Sequence, residues 1–166
     1  QPGWQAPFAG NPLTGAQSSR ITFDPARGQF VRFGGYNNTP NGTKYPLTLE
    51  LFDGRYWITL ETTPAPEARN NPALAHDPVR DRIVLFGGIV YEGNLLWEWD
   101  GETWHEITPD PSPSDLDLAD LIWDGLHQRL YLLGRESTTP GNFPFQLWSW
   151  DGTTWEQHVG LTTQLP

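Results

Sequence analysis

The groups with which this chain could do acid, base or metal chemistry are few and scattered. His76, His105, His127 and His158 are its only histidines, and no two share the His-x-x-x-His spacing that would turn both onto one metal. The chain has no cysteine, which excludes disulfides, thiolate nucleophiles and cysteine-based zinc sites. No Gly-x-Ser-x-Gly elbow and no phosphate-binding glycine loop occur. The acidic stretch TPDPSPSDLDLAD (108–120) carries Asp115, Asp117 and Asp120. Three carboxylates that close together suit Ca²⁺, a cation that takes several oxygen ligands. The spacing is not that of an EF-hand and the loop glycine is missing, so a solvated acidic connector is the simpler reading. No catalytic residue and no cofactor emerge from these patterns.

Groups suited to binding are better represented. Three variable stretches, YNNTPNGTKYP (36–46), IVYEGN (89–94) and RESTTPGNFP (135–144), carry Tyr36, Tyr45, Tyr91 and Phe143. Aromatic side chains on loops anchor protein partners or stack on sugars. Glu92 and the adjacent charges Arg135 and Glu136 lie in the same stretches. The competing reading is that the rings fold back over strand edges and the charges pair at the surface. Asn37-Asn38-Thr39 and Asn41-Gly42-Thr43 are glycosylation sequons on the first stretch.

What holds these loops is a repeat. WEWDGETW (97–104) returns as WSWDGTTW (148–155), with LFDGRYW as a looser earlier copy. The Asp-Gly pairs at 53, 100 and 151 are followed by Trp57, Trp104 and Trp155. Upstream lie FVRFGG, IVLFGG and LYLLGR, and before those FDPARG, HDPVRD and WDGLHQ. Spacings inside the units are constant except between the glycine and the Asp-Gly pair, where the loops above fall. Each unit reads as four short strands a to d. In the second unit these are PALAHD, RIVLFG, NLLWEWD and TWHEI. Asp-Pro-x-Arg makes the a–b turn, and Asp-Gly makes a c–d hairpin. Repeated four-stranded meanders of this length are propeller blades, with large flat side chains such as Trp99 and Trp150 filling the wedge between them.

The chain thus resembles the kelch-repeat family of β-propellers. Gly34-Gly35 and Gly87-Gly88 match its double glycine, and Trp57, Trp104 and Trp155 its late tryptophan. The third unit departs, with Arg135 in the second glycine's place. The resemblance implies an all-β fold: a kelch-like propeller segment of three four-stranded antiparallel blades at 17–64, 68–110 and 117–160. Residues 1–16 would supply an orphan d strand of a preceding blade, since Trp4 aligns with Trp57. In such a fold Arg20, Arg69 and Asp120 lie near the starts of inner strands, at a channel mouth.

Three blades and a strand do not close a ring of four to eight. The open faces predict a longer propeller, a ring of several copies, or another protein as cover. A formal charge of −10 argues against nucleic acid and anionic lipid, and no run is apolar enough for membrane insertion. The chain begins at Gln1 and has no methionine, which fits a processed export product or a piece of a longer chain. An extracellular or periplasmic setting follows as the expectation. The function expected is a non-catalytic protein-binding or structural module, self-associating or partnered through its open blade faces. The alternative is part of a carbohydrate-active or sugar-binding propeller.

Overall fold

The computed structural model describes residues 16–88, 95–114, 116–136 and 144–159. Three four-stranded antiparallel sheets follow one another along the chain. The first contains β1 (Arg20–Asp24), β2 (Gln29–Phe33), β5 (Leu49–Phe52) and β6 (Trp57–Leu60). The second contains β7 (Ala73–Asp77), β8 (Arg82–Phe86), β9 (Leu96–Trp99) and β10 (Trp104–Ile107). The third contains β11 (Leu116–Asp124), β12 (Arg129–Glu136), β13 (Phe145–Trp150) and β14 (Trp155–Gln157). Each strand pairs only with its neighbours in sequence, apart from the short hairpin described next. The orphan strand expected around Trp4 lies outside the described residues.

A fourth sheet was not expected. β3 (Asn37–Thr39) and β4 (Gly42–Lys44) form a two-stranded hairpin inside the stretch read as a loop. The Thr39 hydroxyl ties its turn by donating to the Gly42 carbonyl at 2.7 Å. Both sequons therefore sit on this hairpin.

The sheets pack face to face, and the middle one is buried on both sides. Ile83 and Leu85 of β8 join Val31, Phe33 and Leu49 in one core, while Val84 and Phe86 join Leu130, Leu132 and Trp150 in the other. Two-residue periodicity makes this possible, because successive side chains leave opposite faces. The first strands β1, β7 and β11 lie next to one another, so the sheets converge at that edge. Convergence leaves a wider gap at the outer strands, where the tryptophans lie. Trp99 stands 5.5 Å from Trp104, and Trp150 stands 5.2 Å from Trp155. Each outer tryptophan also meets the previous sheet edge-on: Trp104 on Phe33 at 5.6 Å and Trp155 on Phe86 at 5.4 Å. The architecture is all-β and propeller-like, and the described sheets do not close on themselves.

The double glycines turn strand b away where the next connection comes close. Gly34, Gly35, Gly87 and Gly88 all have positive φ. A Cβ at Gly34 would strike the Arg69 carbonyl, and one at Gly88 would strike the Asn70 carbonyl and Pro72. In the third sheet Arg135 cannot take that conformation cheaply. Strand β12 accordingly runs on through Arg135 and Glu136, which pair with Asp117 and Leu116 of a longer, bulged β11. These two charges thus belong to a strand and not to a loop.

Gly88→Ala combines a left-handed φ of 91° with a backbone collision. It should lower unfolding stability by more than about 2 kcal/mol. Gly28→Ala, with φ 63° and open space, should cost about 1 kcal/mol. Urea denaturation of the two variants checks the ordering.

Candidate functional site

The two ends of the sheets differ. At one end lie the a–b and c–d turns, and at the other the b–c and d–a connections.

At the turn end, arginines tie each sheet to the next. The Asp24 carboxylate accepts from the backbone N–H and the guanidinium of Arg27, both at 3.1 Å. So held, Arg27 reaches the second sheet and donates to the Asp100 carbonyl at 2.5 Å. Arg80 repeats this one unit later. Asp77 accepts from its backbone N–H at 3.2 Å and from its Nε at 2.7 Å. Arg80 Nη1 then reaches both Glu98 oxygens, at 2.7 and 2.9 Å, and the Gly152 carbonyl at 3.3 Å. A Cβ at Gly101 would land on the Arg27 guanidinium, and one at Gly152 on that of Arg80. The glycine of each c–d turn thus serves the neighbouring sheet as well as its own hairpin. Gly54, in the first sheet, has no described residue near its Cβ position.

Glu98 is buried on the face of the second sheet that meets the third, and it also accepts from the Trp150 indole N–H at 3.2 Å. A buried carboxylate is tolerable only with such partners. Two of the turn aspartates, Asp124 and Asp151, are held in the ionised form. The imidazole of His127 and backbone N–H groups pull the Asp124 carboxyl below its usual range. Burial pushes Asp151 upward, but N–H and hydroxyl donors from Thr154 and Thr153 outweigh it, leaving it at about 2.

The channel-mouth candidates part company. Arg20 of β1 donates to the carbonyl of Pro72, just before β7, at 3.1 Å and pairs with Asp120 of β11 at 3.2 Å. Arg69 is elsewhere. It is fully buried and donates to the carbonyls of Glu67, Gly87 and Leu95. Burial pushes its guanidinium down to about 10, against the opposing pull of the Glu67 and Glu106 charges.

Of the three carboxylates that would suit Ca²⁺, one has a described side chain. Asp115 and the Asp117 side chain lie outside the described residues, and Asp120 is engaged by Arg20. Among the described residues, Asp24, His76 and Asp81 are one set of potential metal ligands close enough to share an ion. The Arg27 guanidinium already contacts both carboxylates at 3.1 Å, so the site holds a cation of its own.

At the loop end, Leu47, Thr48, Glu61, Thr62, Thr63, Ala65, Pro66 and Glu67 line an open groove of about 510 Å³. The Tyr36 and Tyr45 rings stand 6.5 Å apart on the same connection. Tyr36 is held by a hydrogen bond from its hydroxyl to Gln17, while Tyr45 is exposed. Tyr91, Glu92 and Phe143 lie outside the described residues.

Reading the sequence missed Arg27, Arg80 and Glu98 as the groups that join sheets. The signals were present: Asp-x-x-Arg recurs at 24–27 and 77–80, and a glutamate sits between two tryptophans at 98.

These sheets and their joints define a propeller-like, repeat-built all-β protein. No protein-family model matches the chain, and no curated protein does. Among solved structures it is similar to a fucose lectin from Kordia zhangzhouensis in complex with methyl-fucoside, at 15% identity and a TM-score of 0.49. The match covers 85% of this chain and 99% of that one. A likeness of this degree leaves both fold and function to be argued from the chain itself.

Arg80→Met removes the guanidinium from Asp77, Glu98 and Gly152 at once and should cost about 2–4 kcal/mol. Arg20→Met breaks a mostly exposed pair and should cost under about 1 kcal/mol. Chemical denaturation of both variants measures the difference.

Proposed function

We propose that this chain is a non-catalytic binding module that takes a protein segment at its loop end. The observation that carries this reading is the division of labour between the ends. At the turn end, Arg27, Arg80, Asp24, Asp77 and Glu98 are committed to holding sheets together. At the loop end, the groove offers two exposed carboxylates, Glu61 and Glu67, between the apolar walls of Leu47, Ala65 and Pro66. That combination suits an extended peptide whose backbone meets the threonine hydroxyls and whose lysine or arginine meets the glutamates. The formal charge of −10 favours a basic partner over an acidic one.

A sugar is the second reading. Exposed Tyr45 beside the Tyr36 ring offers a stacking surface at the same end, and the groove's hydroxyls and carboxylates are acceptors for sugar hydroxyls.

Fluorescence anisotropy against lysine- and arginine-containing peptides, run beside a glycan array, separates the two. The expected result is peptide binding that weakens by about tenfold or more in Glu61→Gln/Glu67→Gln. Glycan binding lost in Tyr45→Ala, with no peptide binding, would favour the second reading. Binding to neither class would contradict both.

A further inference from the structure

The two internal joints repeat the same contacts. An arginine from one a–b turn sits on the next sheet's Asp-Gly turn: Arg27 at Gly101, Arg80 at Gly152. The phenylalanine that ends strand b meets the next sheet's outer tryptophan: Phe33 with Trp104, Phe86 with Trp155. The later sheet also presents a row of side chains across its strands. Strand register places Ile83, Trp99 and Trp104 in one such row, and Leu130, Trp150 and Trp155 in the next; all six are buried.

At the outer faces of the first and third sheets, the described residues supply one half of each of these contacts. In the first sheet, register places Phe23, Phe30, Phe52 and Trp57 in the equivalent row. Phe23 is 46% exposed and Phe30 40%. Among the described residues nothing lies within 4 Å of a Cβ at Gly54, where Gly101 and Gly152 meet arginines. In the third sheet, Leu133 occupies the place of Phe33 and Phe86 and is 49% exposed, with Ile122 on the same face 66% exposed. His127 stands where the arginines stand.

From this correspondence we propose that the first-sheet face of one copy docks on the third-sheet face of a second copy, so that two chains close a ring. The three four-stranded sheets described in each copy give 2 × 3 = 6, inside the range of four to eight that closed propellers use. A two-fold axis through the ring relates the two junctions, so the outer faces of the first and third sheets are covered in both copies. The junction between copies is weaker than the internal joints for two reasons. The His127 imidazole is shorter than a guanidinium, and its Nδ1 is already bonded to Asp124 at 2.6 Å. On the inner half of the first face, Arg32 and Glu50 form a buried ion pair where the third sheet has Leu132 and Trp148, so contact rests on the aromatic outer half. The proposal goes beyond the loop-end reading and does not depend on it, because the two surfaces are separate.

Sedimentation equilibrium over about a hundredfold in concentration tests it. The expected particle mass rises from 18.8 kDa to twice that value and stops there. His127→Arg, which restores a guanidinium opposite Gly54, should tighten dimerisation by about tenfold. Phe30→Asp and Ile122→Asp, both at exposed positions, should each hold the chain as a monomer with its near-ultraviolet circular dichroism intact. A wild-type chain at 18.8 kDa throughout would overturn the proposal. So would growth past the dimer, or a dimer indifferent to both aspartate substitutions. Each of these results leaves peptide binding at Glu61 and Glu67 measurable on the same samples.

Discussion

The contact on which the rest of this structure depends is a guanidinium carried by one sheet and seated on the turn of the next. Arg80 is gripped by Asp77 in its own a–b turn, meets the buried Glu98 carboxylate, and ends on the Gly152 carbonyl. Four-stranded sheets of this size are too small to stand alone, and each buries its apolar face only against a neighbour. Apolar packing between flat faces is non-directional and does not fix their relative rotation. A planar, charged fork does, because its donors have defined directions. The tryptophans then fill a gap whose width the arginine joint has set.

That arrangement explains where the polar residues of the interior lie. Glu98 is tolerable inside because Arg80 and the Trp150 indole both donate to it. The indole N–H groups of Trp97, Trp99, Trp104 and Trp155 are buried and meet no acceptor among the described residues, which carries a desolvation cost. Burying rings of this size against the facing sheet offsets that cost. Where the repeat breaks its own rules, the structure changes with it. Arg135 in the glycine position lengthens β12 and draws β11 into a bulged partner strand. Arg32 and Glu50 put an ion pair where later sheets have leucine and tryptophan.

Much of the architecture could be read from residue spacing. The Asp-Gly turns, the double glycines and the recurring tryptophans placed four strands in each unit, and the strands of the second unit fall close to where PALAHD, RIVLFG, NLLWEWD and TWHEI put them. Alternation in NLLWEWD was misleading in one respect. It suggests one wet face, whereas Glu98 is as inaccessible as its tryptophan neighbours because the second sheet is covered on both sides. Local pattern reports which side chains share a face and says nothing of what lies across it. The same limit hid the arginine joints: Asp-x-x-Arg reads as a self-contained turn, and its bond to a carbonyl more than seventy residues away is a tertiary fact. Of the channel-mouth residues, Arg20 and Asp120 do meet, while Arg69, in the d–a connection, is held by the Gly87 and Leu95 carbonyls beside the b–c connection of the second sheet, which no sequence pattern announces.

Native-state hydrogen exchange on Arg80→Met beside the wild type tests the central role of the joint most directly. In the wild type, the ladder amides of the second and third sheets should open together, at one common free energy. In Arg80→Met, the third sheet should open on its own at a lower free energy while the first and second remain coupled through Arg27. If the two sheets already open independently in the wild type, or still open as one unit in the variant, the arginine does not hold them together and apolar packing alone sets their arrangement.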